Sequence, residues 1–595
     1  MALNHHIGLK MTTTDHKGLT WPQYNQSIAL WRGENLTPEP TEPLKELKIA
    51  HFNDVYKVSD QSPADDKINV SKFATLLSNV RKAWKASGHG DGLTIFSGDI
   101  FSPSPHSTIS RGRHMVHVAN ALKIDIGVIG NHEFDFGVHQ LFELIKETKF
   151  PWLLSNIIDK DTGTVPVPLK EYHVLETSGV RVGFVGLVEK GWLETIVGLP
   201  ASYEWQSMTE IGLKLSQILR DPSGPHKCDL VIALTHSRVP DDIRLARELF
   251  ALSPKAQAGI DITSKHGVDL LLGGHDHFYW ISKGVSSWEK YNLDEKRPEA
   301  EGDQGDTLVV KSGTDFQDLS EITLGLKATP AGSVRRMIIA SIKGKRCITS
   351  GDLADDQDMV DTIQSQFANI NASLPMPICF TEVDLPLVSR TEESVLGNWI
   401  ADCLKPVYDD VLRSTQRNPV DGVLILTGDI RGGNYPKGPL TLENLLEIVP
   451  YGDSMIVLEI SGKDLWTAVE SSLSKYPKTE GRFPAISGFR VDWKSKNPVG
   501  SRVQGIWLQG EPKRGADGKT KLVDKEEVGR SSDRKYTIAV GYYMYQGGDG
   551  YDVLKNQTVL LGEENGDTKA NLVRKFLLGE TTESPFYDTR TKGCI

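Results

Sequence analysis

The chain has 595 residues, too many for one hydrophobic core, and two to four domains are expected. With 39% hydrophobic and 24% charged residues it has the composition of an ordinary soluble globular protein. The formal net charge of −11 argues against a nucleic-acid polymer as partner. It leaves a small phosphate substrate open, because bound metal ions reverse the field inside a cleft.

In chain order, residues 1–46 are polar, carry the run Pro38-Glu39-Pro40-Thr41-Glu42-Pro43, and read as an N-terminal extension. Regular structure starts with a strand at 47–52 that ends in Asn53-Asp54. Further buried strands are expected at 92–97, 126–129, 182–188, 230–234 and 269–272. Most of them end in a polar cluster: Gly98-Asp99, Gly130-Asn131-His132-Glu133, Thr235-His236 and Gly273-Gly274-His275-Asp276-His277. Residues 284–306 are acidic, contain Gly and Pro, and are expected as a surface loop. A charged helix over 356–372 is expected to connect two domains, giving a first domain at 47–350, a connector at 351–377 and a second α/β domain at 378–595. Cys228, Cys347, Cys379, Cys403 and Cys594 show no CxxC or zinc-ribbon spacing and read as reduced thiols. No apolar run has the length of a secretory signal or a membrane span, so no membrane partner is expected and the cytosol is the expected compartment.

Hydrolysing a phosphoester near neutral pH takes an activated water and neutralisation of the phosphoryl charge, and two divalent cations about 3.5–4 Å apart supply both. Such a pair needs a bridging carboxylate with oxygen and imidazole ligands on each side. Asp54, Asp99, Asn131, His236, His275 and His277 each stand just beyond a predicted strand, where α/β folds build sites. Singly, each has a blander reading: an Asp after a strand is usually a helix cap, and a lone His a satisfied core or surface group. Six in this order are hard to ascribe to capping.

Asp54 in HFNDVY, SGD at 97–99, GNHEFD at 130–135, LTH at 234–236 and GGHDH at 273–277 resemble the five blocks of the calcineurin-like metallophosphoesterases. The GNHEFD form is similar to that of the 5′-nucleotidase branch, which includes UDP-sugar hydrolases and 2′,3′-cyclic-nucleotide phosphodiesterases. The resemblance implies a four-layer α/β/β/α sandwich followed by a second α/β nucleotide-binding domain, and two divalent ions such as Mn or Zn. It implies that Asp99 bridges them, with Asn131, His236 and His275 on one ion and Asp54 and His277 on the other. His132, oriented by Asp135, would steady the phosphoryl group; capping of the helix starting near Phe136 is a second role open to Asp135. The family usually carries Asp-x-His in the first block, whereas this chain has Asp54-Val55-Tyr56. Tyr56 is either a ligand or an outer hydrogen-bonding group with water in the vacant place. The second is expected, because a neutral phenol is a poor ligand for Mn²⁺ or Zn²⁺.

The C-terminal half contains Arg390, Leu426-Thr427-Gly428-Asp429-Ile430-Arg431, Tyr451, Tyr543 and Gly547-Gly548-Asp549-Gly550. This series resembles the 5′-nucleotidase C-terminal domain. The resemblance implies that Tyr451 and Tyr543 sandwich a base, that Arg390 and Arg431 hold anionic oxygens, and that Asp549 binds the ribose hydroxyls. It also implies that this domain swings to carry substrate to the metals. Leu426 and Asp429 depart from the family's Asn-Gly-Gly-Gly-Ile-Arg, and Asp429 adds negative charge beside an anion site. A nucleotide phosphomonoester is therefore the expected substrate. A cyclic nucleotide, a nucleotide sugar or another phosphoester stays open, as does a catalytically silent binding protein.

Overall fold

The computed structural model describes residues 44–579 apart from 62, 64–65, 91, 194–195, 197–198, 298, 387, 432, 479–480, 511–512, 515–519 and 522. Nearly all of the expected extension, and Cys594, lie outside the described residues.

Strands Lys45–Phe52, Leu93–Phe96, Ile126–Val128 and Trp152–Leu153 pair in parallel and form one side of a seven-stranded sheet. A six-stranded sheet has Val309–Ser312, Leu270–Gly274, Leu230–His236 and Val180–Val188 as its parallel centre. Successive side chains of a strand point to opposite faces, and the sequence uses both. Phe184, Leu230, Ile232, Leu234, Leu270 and Leu272 join a core with Phe52, Ile95, Phe96 and Val128 of the other sheet. Their neighbours Val185, Val231, Ala233 and Leu271 pack with Ile211, Leu215 and Leu219 of helix Met208–Arg220 and Ile243 of helix Val239–Glu248. Helices Val70–Ala86, Arg113–Leu122 and Gly137–Glu147 add Phe73, Leu77, Met115 and Leu141 from beyond the first sheet. The layers are therefore α/β/β/α, and burial on both faces explains why the strands read as unbroken apolar runs.

Register fixes where the site forms. Phe52 lies opposite Phe96 and Ile95 opposite Ile126, while Val188 and Gly274 both lie opposite His236. The carboxyl ends of the parallel strands in both sheets thus deliver their loops to one edge.

The segment 284–306 is not wholly a loop. Ser287–Glu289 is an edge strand beside Met337–Ile348, anchored by buried Trp288, whose indole N–H donates to the Tyr279 hydroxyl at 2.8 Å. The acidic residues around it mask this short strand in the sequence. The connecting helix runs Gln357–Ser373, with Met359 in the first domain's core and Phe367 stacked on His106 at 4.4 Å.

The second domain centres on a five-stranded sheet of Pro484–Ser487, Gly422–Leu426, Lys535–Gly541, Met455–Ser461 and Thr558–Leu561. Here too alternation divides the faces. Val423, Ile425 and Val457 pack with Leu396, Ile400 and Leu404 of helix Val395–Ser414. Leu424, Leu426, Ile456 and Leu458 pack with Leu465 and Val469 of helix Gly462–Ser472. Cys228, Cys347, Cys379 and Cys403 are free thiols. Among the described residues, no helix is long and apolar enough to cross a membrane.

Candidate metal centre and substrate cleft

The six expected ligands converge, and Asp99 belongs to both groups they form. Asp99, His236 and His275 make one group with the Asn131 amide, and Asp54, Asp99 and His277 make the other. Asp54, Asp99, His236 and His275 are fully buried. In each carboxylate one oxygen is held by the protein and the other faces the cluster. Asp54 Oδ2 accepts from the Asn53 amide at 2.6 Å and from the His275 N–H at 2.9 Å, while Asp99 Oδ1 accepts from the His132 N–H at 2.9 Å. Asp99 Oδ2 then lies 3.1 Å from His236 Nε2 and 3.1 Å from the Tyr56 hydroxyl. His236 Nδ1 bonds to the Ser97 carbonyl at 2.8 Å, which turns Nε2 inward.

Electrostatics match this donor set to cations. Burial opposes charge on His236, but Asp99 and Asp54 outweigh it and hold its pKa up at about 9. Burial likewise opposes the Asp54 carboxylate, but the hydrogen bond from His277 and the charge of His236 bring its pKa down to about 2. A divalent ion takes the place of such imidazole protons, and binding releases them. Burial keeps His275 neutral, its pKa pushed well below the ordinary value. Buried carboxylates, an amide oxygen and neutral-capable imidazoles are a donor set for first-row divalent ions.

The backbone is strained where the ligands stand. Asp54, Asp99, His275 and His277 have φ of 53°, 66°, 89° and 55°, a left-handed region that costs of order 1–3 kcal/mol per non-glycine residue. Glu133 secures one of these turns. Its carboxylate accepts from the N–H groups of Asp99, Ile100 and Gly130 at 2.7–2.8 Å. Burial and the nearby Asp99 still raise its pKa to about 7. Gly130 must lack a side chain, since a Cβ there would lie 2.2 Å from Asp99 Oδ1. Lys311 secures the turns of the second sheet. Its buried ammonium donates to the carbonyls of Ser237 and Gly274 and pairs with Asp242 at 2.9 Å and Asp276 at 2.5 Å. Those carbonyls adjoin His236 and His275.

His132 Nδ1 lies 2.9 Å from Asp135 Oδ2, and its Nε2 is buried without a partner. Burial disfavours its charge, but Asp135 and Asp99 raise its pKa to about 10, so the ring is an imidazolium. Asp135 does not cap the following helix. That helix is Gly137–Glu147, and its N-cap position, Phe136, makes no side-chain cap bond. Tyr56 is 5% exposed, and its hydroxyl lies 3.2 Å from Asp54 Oδ1 and 2.8 Å from His277 Nε2. Burial and then Asp99 and Asp54 push this phenol well above its ordinary pKa. The turn Glu563–Asn565 of the second domain covers the cluster. Asn131 Nδ2 donates to the Glu564 carbonyl at 2.9 Å, and Arg238 pairs with the Glu564 carboxylate.

The second set of expected residues also gathers. Arg431, Tyr451, Tyr543 and Asp549 line one cleft of the second domain with Leu426, Gly428, Asp429 and Asp453. Tyr451 and Tyr543 are 45% and 46% exposed. Arg431 Nε donates to the Tyr451 hydroxyl at 3.0 Å, and the Tyr543 hydroxyl donates to Asp549 at 3.4 Å. Arg390 does not line this cleft. Its Nη2 donates to the Ile430 carbonyl at 3.2 Å, and its Nη1 is buried without a partner. Buried Lys569 lies 3.2 Å from Asp429 and 2.9 Å from Asp453, so one ammonium offsets part of the charge of both.

The sequence alone assigns no role to Glu133, Lys311, Lys569 or Glu564. A signal existed for Lys311, a lone charge ending the apolar run Leu308-Val309-Val310. None existed for Glu564, whose contact with Asn131 spans 433 residues.

Residues 47–279 match the family model for calcineurin-like phosphoesterases, and residues 377–556 match that for the 5′-nucleotidase C-terminal domain. The chain is 25% identical to the 5′-nucleotidase of Homo sapiens over 571 residues, covering 92% of this chain and 91% of that one. It is 25% identical to the snake venom 5′-nucleotidase of Crotalus adamanteus over 556 residues, covering 89% and 84%. In fold it is similar to the NAD nucleotidase of Haemophilus influenzae, with a TM-score of 0.63 at 17% identity, covering 90% of this chain and 96% of that one.

Proposed function

Since the chain belongs to the calcineurin-like phosphoesterases that carry a 5′-nucleotidase C-terminal domain, and so is a metal-dependent hydrolase of nucleotide phosphoesters, we propose that its substrates are nucleoside 5′-monophosphates. The observation that carries this reading is the pairing of a two-group ligand cluster sharing Asp99 with an aromatic cleft in the second domain. A divalent ion pair, when bound, supplies an activated water and neutralises charge on the phosphoryl oxygens. Asn131, His236 and His275 would hold one ion and Asp54 and His277 the other, with Asp99 between them.

The residues do the rest. The His132 imidazolium, fixed by Asp135, presents Nε2–H to a phosphoryl oxygen as negative charge develops there. Tyr451 and Tyr543 stack on the base at about 1–3 kcal/mol each, a contact that tolerates any base. Asp549 accepts from the ribose hydroxyls, and Arg431 exchanges its Tyr451 contact for an anionic oxygen. The lining of the aromatic cleft and the ligand cluster share no residue, and Glu563–Asn565 lies over the cluster. On this reading the second domain moves about the connector to bring the aromatic cleft to the ligand cluster. A disulfide locking that connector abolishes turnover; unchanged turnover in the locked protein removes the swing from the mechanism.

A substrate panel tests the function itself. With Mn²⁺ restored, AMP should exceed ribose 5-phosphate, 2′,3′-cyclic AMP and UDP-glucose in kcat/KM. A higher value for the cyclic diester or the nucleotide sugar would reassign the leaving group.

A further inference from the structure

Two groups of donor atoms meet at Asp99 Oδ2, and their spacings agree. On one side, His236 Nε2 lies 3.1 Å from Asp99 Oδ2 and 3.1 Å from Asn131 Oδ1, and His275 Nδ1 lies 3.1 Å from Asn131 Oδ1. On the other, the Tyr56 oxygen lies 3.1 Å from Asp99 Oδ2, 3.2 Å from Asp54 Oδ1 and 2.8 Å from His277 Nε2. His277 Nε2 and Asp54 Oδ1 are 3.4 Å apart. Ligand bonds of about 2.0–2.2 Å set adjacent donor atoms about 3.0 Å apart in an octahedral shell and about 3.4 Å apart in a tetrahedral one. The phenol oxygen therefore stands at the spacing of a shell member. A phenol outside the shell donates its one proton to one carboxylate oxygen and accepts from His277 Nε2, which leaves the other carboxylate oxygen, 3.1–3.2 Å away, with no proton between the two oxygens. Nor is Tyr56 free to swing away: its ring lies edge-on to His132 and His277, and its own N–H donates to Asp315 at 3.1 Å.

We infer that Tyr56 is itself a metal ligand, bound through its phenolate oxygen and completing a shell with Asp54, Asp99 and His277. The inference rests on the metal-dependent reading above and reverses the sequence-based expectation for this residue. On binding, the phenol O–H bond breaks, an oxygen–metal bond forms, and the proton passes to solvent; no electron is transferred. A cation among these carboxylates reverses the field that otherwise keeps the phenol protonated. Three oxygens, one of them a phenolate, suit a hard ion, whereas the two imidazoles of the other shell suit a softer one. The two positions should therefore differ in metal preference.

The test uses the full-length protein, stripped of metal and reloaded separately with Mn²⁺, Zn²⁺ and Fe³⁺, with bound metal counted by elemental analysis. Loaded with Fe³⁺, the wild type should gain a visible phenolate-to-iron charge-transfer band with tyrosinate ring modes in its resonance Raman spectrum. Tyr56→Phe and Tyr56→His, shown by circular dichroism to be folded, should lack the band. Loading should release one proton fewer in Tyr56→Phe than in the wild type. Tyr56→His should shift preference toward Zn²⁺. Wild-type protein that holds its full complement of iron with neither the band nor the extra proton would overturn the inference and leave the metal-dependent reading standing. A band that persists in Tyr56→Phe would overturn it as well, by assigning the phenolate to another tyrosine. Wild-type protein that binds none of the three ions would overturn both.

Discussion

The ligand cluster and the aromatic cleft are built in opposite ways. Asp54, Asp99, His236 and His275 are fully buried and stand on strained backbone or strand ends, and Asp54, Asp99 and His236 are each oriented by a bond to the interior. Tyr451 and Tyr543 are nearly half exposed, and their hydroxyls are engaged by Arg431 and Asp549 across the same cleft. The first arrangement spends folding energy to fix atoms before substrate arrives, as charge stabilisation demands. The second holds bonds that a nucleoside can exchange one for one. Chemistry here is preorganised and recognition is adaptable, and substitutions in the two regions should fail differently.

The largest effect is expected beneath the cluster. Lys311→Met leaves Asp242 and Asp276 buried without their cation and should lower stability by about 3–5 kcal/mol in urea unfolding. If it folds, it should also lose metal at a lower chelator concentration than the wild type; an unchanged unfolding midpoint would show that the pair is not buried as described. Next, His132→Ala should reduce kcat by about 10²–10³-fold with little change in KM, because its imidazolium acts on charge that develops in the transition state. A change confined to KM would move His132 to substrate binding.

In the cleft the pattern should invert. Tyr451→Ala and Tyr543→Ala should each raise KM for AMP by an amount worth about 1–3 kcal/mol. Both should leave hydrolysis of p-nitrophenyl phosphate, which has no base, near the wild-type rate. Loss of both activities together would erase the distinction between the two regions.

The smallest effect separates the halves in acid. All 16 histidines lie between His5 and His277, and the second domain has none. Burial pushes the pKa of His51 and of His114 down to about 3, with Lys311 adding to the effect on His51 and His106 and His117 on His114. The unfolded chain therefore takes up each proton first. The loss of stability begins below about 6.5 and grows until about 3, reaching about 2 kcal/mol per histidine at pH 5, or 1.5 pH units at about 1.36 kcal/mol each. Urea unfolding at pH 7 and pH 5 should show this loss reduced by about 2 kcal/mol in His114→Asn. An equal loss in both proteins would mean that His114 titrates normally.

Much of the cluster was legible because its chemistry demands position. Ligands for an ion pair must stand at the carboxyl ends of parallel strands, so buried runs such as 230–234 followed by Thr235-His236 announce both strand and ligand. The supporting residues were not legible in the same way. Glu133 sits inside the block GNHEFD, but nothing in its spacing says that it turns toward three backbone N–H groups instead of an ion. Lys569, which offsets Asp429, lies 140 positions from it in the chain, and the pairing exists only once the second domain has folded. The strand Ser287–Glu289 was hidden because three residues in acidic surroundings carry no period to read. Tyr56 was readable as a departure, but whether its oxygen joins or backs the shell depends on distances of a few tenths of an ångström.

The most direct measurement is phosphate release from AMP by metal-stripped protein reloaded with Mn²⁺, beside His275→Ala treated in the same way. Release that requires Mn²⁺ and falls by about 10³-fold or more in the variant is the result expected from the shared-ligand centre. Release that is unchanged by stripping, or that survives intact in His275→Ala, would contradict it.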